Sequence, residues 1–144
     1  MKKTNKGFSL VELIIVIAIM AILIGVLAPQ YMKYVDKSRV SADKDLADSV
    51  YNACTTAAAD PDNTATPTAA GYITISSDDF GNDVCSTLGV SAGSFSQVSS
   101  KLKSKTYKGQ GISISMDALG NFVISVSGGP AGANSGKPIV IPEQ

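Results

Sequence analysis

Polar positions are almost absent from the opening stretch of this chain. Residues 8–28 form a run of twenty-one in which only Ser9 and Glu12 are polar. As a helix rising about 1.5 Å per residue, the run spans about 31 Å, the hydrocarbon thickness of a bilayer. The pattern then changes. Val35, Ala42, Leu46, Val50, Ala53 and Ala57 recur at helical spacing, while Lys33, Asp36, Lys37, Arg39, Asp43, Lys44, Asp45 and Asp48 fill the other faces. Residues 30–59 are therefore expected to continue the helix with one apolar stripe. The helix should stop by Asp60-Pro61, because proline disfavours α geometry in the residue before it. From residue 9 to 59 such a helix is about 75 Å long. Its mixed charges fit a solvated face and contacts between neighbouring chains equally well.

Beyond the helix the period shortens. Residues 61–70 have no period and two prolines and read as a surface loop. Residues 71–76 alternate and predict a short strand. Phe95, Val98 and Leu102, behind Ser94 as a cap, suggest a short helix. Residues 111–116 and 122–127 alternate strictly around a turn at 117–121, a hairpin pattern that puts Ile112, Ile114 and Met116 on one face and Phe122, Ile124 and Val126 likewise. Residues 138–141 read as a last strand, bounded by prolines as on an edge, and 128–136 as a glycine-rich loop. An antiparallel sheet of three or four strands needs one face covered, and the stripe of residues 35–57 is the long apolar surface available for it. The expected class is α+β, a long helix laid across a sheet.

Charge gives the apolar run a direction. Lys2, Lys3 and Lys6 precede it and no basic residue follows until Lys33. This bias keeps the N-terminus cytoplasmic and sends the rest of the chain outward. Glu12 then stands inside a membrane helix, at a cost of roughly 2.5–3.5 kcal/mol on insertion scales, and asks for a partner. The nearest cation, Lys6, lies beyond Gly7. The partner is another molecule, or a charge made later: a cut between Gly7 and Phe8 would leave a free α-amino group at the head of the helix.

Lys6-Gly7-Phe8-Ser9-Leu10-Val11-Glu12 and the apolar run after it resemble the prepilin signature of type IV pilins and pseudopilins. The resemblance is close over residues 1–55 and architectural beyond them. It implies that a membrane peptidase cuts after Gly7 and methylates the new N-terminal Phe8, and that Glu12 pairs with the terminal amine of a neighbouring subunit during assembly. It also implies a helix break near Gly25 and Pro29, since proline lacks an N–H and crowds the carbonyl four residues back, here that of Gly25. The resulting division is a leader at 1–7, a membrane and filament-core helix at 8–29, an amphipathic helix at 30–59 and a head at 60–144. The implied partners are further copies of the chain in a helical polymer, the prepilin peptidase and methyltransferase, the pilus assembly machinery, and the membrane before assembly; a role for nucleic acid stays open. The implied location is the cytoplasmic membrane first and an extracellular fimbrium afterwards.

Other readings compete. Val26-Leu27-Ala28 has the small-residue pattern that precedes an ordinary secretory cut, but Pro29 follows the would-be cut and a charge within the apolar region is unusual. A pseudopilin shares the N-terminal motif and builds only a short filament. A secreted or anchored binding domain would never polymerise.

Composition narrows the chemistry. The 144 residues carry twelve basic and twelve acidic side chains and no histidine, which removes the commonest general base and metal ligand at neutral pH. Without residues 1–7 there are nine basic against twelve acidic side chains, a net of −3, against a nucleic-acid-binding surface overall. No nucleophile and base are grouped, so no enzymatic activity, cofactor or metal is expected. Cys54 and Cys85 in an exported domain favour a disulfide, which would close a loop of about thirty residues worth about 3–4 kcal/mol in the chain-entropy model; free thiols are the other reading. Tyr31 and Tyr34 suit the lipid–water boundary. Residues 132–137 imitate a phosphate loop one residue short, with Pro138 where a magnesium-binding hydroxyl should stand. Asp78, Asp79, Asn82 and Asp83 read as a solvated turn rather than a calcium loop, lacking its spacing. Lys101, Lys103, Lys105 and Lys108 with Tyr107 read as a solvated or intersubunit surface before a phosphate-binding one.

Overall fold

The structure is a computed structural model that describes residues 7–127 and 138–142. The order of elements is α1 (Leu10–Ala59), β1 (Gly71–Ile73), α2 (Asp79–Thr87), α3 (Ser96–Ser99), β2 (Ile112–Met116), β3 (Phe122–Val126) and β4 (Ile139–Ile141). The chain divides into two compact units between Val35 and Asp36.

The first unit contains the apolar part of α1. Every described residue from Gly7 to Tyr34 is exposed, although this is the one described helix long and apolar enough to cross a membrane. The first helical hydrogen bond runs from the Leu13 N–H to the Ser9 carbonyl. The helix is continuous through Gly25 and Pro29 in the single chain; the break that the resemblance implies is one that opens in an assembled filament. Proline's ring crowds the residue four positions back, and a Cβ at Gly25 would meet no atom within 4 Å.

In the second unit the four strands form one antiparallel sheet in the order β1-β2-β3-β4. Alternation sets its buried face. Ile112, Ile114 and Met116 stand opposite Val126, Ile124 and Phe122, and Ile124 and Val126 stand opposite Ile141 and Ile139; all are buried. They join Val40, Ala47, Val50, Ala53, Cys54 and Ala57 of α1 in a single core. The hairpin turn is fixed by Asp117, whose carboxylate accepts the N–H groups of Leu119 and Asn121 at 2.8 Å each. Gly120 holds the positive φ of 87° that the turn requires.

Several expectations need correction. The buried stripe of α1 runs through Val40, Asp43, Ala47, Val50, Ala53, Cys54 and Ala57. Ala42 is exposed, and Val35 and Leu46 are only half-buried. The spacing was right, but choosing apolar residues alone moved the first half of the stripe around the helix and put Asp43 on the wrong face. The first strand stops at Ile73 rather than 76. Ser94 does not cap α3: Phe95 holds the cap position and makes no side-chain bond there. The segment read as a solvated acidic turn is instead α2, with Asp78 as its cap, and its Phe80 stacks on Phe122 of β3 at 5.8 Å between ring centroids. The glycine-rich loop and the phosphate-loop imitation at 128–137 lie outside the described residues.

Candidate functional site

The head of the apolar helix carries the residues that the sequence singled out. Gly7 precedes α1, and a Cβ built on it would meet nothing within 4 Å. Phe8 is 91% exposed. Both residues lie outside the regular helix and are unpacked in the single chain. Glu12 is exposed in the first turn of α1. There a carboxylate faces the positive end of the helix dipole, which favours it modestly in any chain. From Leu10 to Leu27 the exposed side chains are aliphatic on every side of the helix, with Glu12 the one ionisable group among them.

The other candidates fall in the second unit. Cys54 and Cys85 are both buried and unbonded; the disulfide expected between them is not formed in this structure. Burial pushes the Cys54 thiol up to about 12, which leaves it protonated and unreactive. Asp78 accepts the Ser76 hydroxyl at 2.6 Å and the Gly81 N–H at 2.7 Å, and these bonds hold its carboxyl below the ordinary range. Asp79, Asn82 and Asp83 belong to α2, so their oxygens are set by helical spacing. Lys101, Lys103, Lys105 and Lys108 are exposed, but Tyr107 is buried and offers no stacking face. Burial raises its phenol above the ordinary value, with the Lys44 and Asp43 charges acting in opposite senses.

Asp43 is the residue that sequence reasoning missed. It is 1% exposed, and its carboxylate accepts the backbone N–H groups of Lys103 and Ser104 at 2.7 and 2.9 Å. A buried carboxylate is tolerated when its lone pairs are filled this way. A sequence signal existed: Asp43 lies three residues from Val40 and four from Ala47, in phase with the buried stripe.

A family model for the prokaryotic N-terminal methylation motif matches residues 2–28. The type IV major fimbrial protein FimA of Dichelobacter nodosus is 51% identical over 41 residues, 28% of this chain and 26% of that protein. The opening of this chain is similar to that of a type IV fimbrial protein. The fimbrial protein EcpC of Eikenella corrodens is 47% identical over 47 residues, 33% of this chain and 31% of that protein. The chain thus matches less than a third of the length of either relative, and no solved structure matches significantly. Beyond the matched residues the chain has a long helix packed, through its second part, on a four-stranded antiparallel sheet, an architecture consistent with an α+β pilin fold.

Proposed function

We propose that this chain is the structural subunit of a type IV pilus. It is cut between Gly7 and Phe8 by a prepilin peptidase, methylated on the Phe8 amine, and polymerised through the helix that begins at Leu10. The observation that carries this reading is a helix apolar on every side and exposed along its whole apolar length, interrupted by one carboxylate near its start. Burying each such aliphatic side chain is worth about 1.5–3 kcal/mol relative to water, so the helix must be covered, first by lipid and then by neighbouring helices. It is a membrane anchor before assembly and a filament core after it.

Transfer from lipid to a bundle of like helices exchanges one apolar surroundings for another, so apolar burial alone does not drive it. The Glu12 carboxylate supplies a directional contribution. In low dielectric its costly state is the unpaired one, and the new Phe8 amine of an adjoining subunit is the cation that processing creates. Cleavage and assembly are thereby coupled: without the cut there is no amine to pair. The pilus assembly machinery supplies the mechanical step, and the filament places the head outside the cell.

Mass spectrometry of the protein sheared from cells tests this reading. The expected chain starts at Phe8 and carries one added methyl. A chain starting at Pro29 would mean ordinary secretion and would end the filament reading.

A further inference from the structure

Charge is segregated in the second unit. Residues 45–100 contain seven aspartates and no lysine or arginine. From residue 36 to 127, every basic side chain falls within 37–44 or 101–108. The fold ties these two segments together: Asp43 accepts the Lys103 and Ser104 amides, and Asp36 accepts the Lys105 N–H at 3.3 Å. The result is a basic collar around the start of this helical section. It contains a cleft of about 430 Å³ with Lys37, Ser41 and Lys44 on its wall and Val40 and Ile139 beneath, and a shallower one between Arg39, Lys103 and Lys108.

The opposite sign gathers at the other end of α1. Asp60 and Asp62 follow its last residue. The Asn63 side-chain amide donates to the Ala57 carbonyl and to the Asp83 carboxylate at 3.2 Å each, and the Thr64 hydroxyl donates to Asp79 at 3.3 Å. Asp60, Asp62, Asp79 and Asp83 are thus held around the helix C-terminus, where the dipole adds to their negative potential. Lys44 and Asp60 are about 24 Å apart along the helix, so these two do not pair within one chain, whereas Lys101, at the edge of the collar, donates to the Leu88 carbonyl at the end of α2 at 3.4 Å.

We infer that the basic collar of one copy receives the acidic end of the next. This rests on the subunit reading above and adds to it the contact that sets neighbouring heads in register. The collar and the acidic end are different surfaces, so the contact is heterologous, and a heterologous contact that does not close on itself repeats into a helical filament. Opposed potentials orient the encounter and reject the reverse alignment, in which collar would face collar.

The test is charge reversal on either side in the full-length chain. The Lys105→Glu, Lys108→Glu pair, which leaves the backbone bond to Asp36 in place, should lower sheared filament yield about tenfold, and the Asp60→Lys, Asp62→Lys pair should do the same. All four substitutions together should restore most of the yield. Thermal unfolding of each variant in detergent should match the parent, which separates lost contact from lost fold. Unchanged yield in either pair would overturn the inference. So would a loss that the combined variant fails to repair, including one accompanied by lost DNA binding, because the collar would then face something other than this chain's acidic end. Absence of filaments from the unsubstituted chain would instead count against the subunit reading.

Discussion

The carboxylate of Asp43 lies 2.9 Å from the backbone nitrogen of Ser104, across sixty-one residues of sequence. A second N–H, that of Lys103, reaches its other oxygen at 2.7 Å. The segment that leads into the hairpin is thereby fastened to the helix by one side chain. Asp43→Ala should cost about 3 kcal/mol, since it removes two charge-assisted bonds and strands buried donors. Asp43→Asn keeps an acceptor and should lose about half as much. Urea unfolding in detergent would measure both, and an Asp43→Ala variant within 0.5 kcal/mol or so of the parent would contradict the assigned role.

Glu12 should show the opposite profile, with no effect on folding and a large one on assembly. Glu12→Ala leaves the Gly7–Phe8 bond as it was, so a processed, methylated chain should still appear by mass spectrometry. Filament yield should fall by about tenfold or more, because the Phe8 amine loses its counter-charge in an apolar environment. Normal yield would show that apolar packing alone sets the subunits.

Asp78 ties stability to pH. Its carboxyl is held low by the Ser76 hydroxyl and then by the Gly81 N–H. A carboxyl depressed in the folded state stabilises that state once the pH is above its unfolded value, and this contribution disappears as the pH falls through the folded value. Asp78→Ala should therefore cost about 1 kcal/mol at neutral pH, as for a lost helix cap. The difference from the parent should shrink steadily as the pH drops below about 4. A difference independent of pH would mean that the ionised carboxylate is not what caps α2.

Gly81 tests the same corner sterically. Alanine is the better helix former by about 1 kcal/mol, yet a Cβ at this position would collide with the Ser76 carbonyl oxygen. Gly81→Ala is expected to destabilise the fold by about 2 kcal/mol through forced backbone displacement. Chemical denaturation decides the sign. A stabilised variant would show that the Ser76 carbonyl can move aside freely.

These residues also mark where sequence reading succeeds and where it stops. The hairpin was legible because its strands alternate over five residues each and Asp117 stands at the turn, so every cue is local. The opening motif was legible because a lone carboxylate in an apolar run has few explanations. The role of Asp43 was not: helical phase with Val40 and Ala47 marks its burial, but the amides that justify that burial lie sixty residues away. Helix α2 was hidden for a related reason: Asp78 and Asp79 look like loop residues until one is seen to cap the helix and the other to begin it.

The cysteines give the last prediction. Cys54 is fully buried between helix and sheet, and its thiol is pushed up to about 12 by desolvation. Alkylation needs the thiolate, which is scarce at pH 8 for such a group even before access is considered. Folded protein treated with iodoacetamide should therefore leave Cys54 unmodified over hours, whereas denatured protein, with no reductant added, should take up two labels, one on each thiol. The readout is a peptide mass map of both samples. Two labels on denatured protein would agree with the free thiols of the structure. Labels that appear only after reduction would mean that exported protein forms the Cys54–Cys85 bridge, and α1 and α2 would then have to be cross-linked through the core.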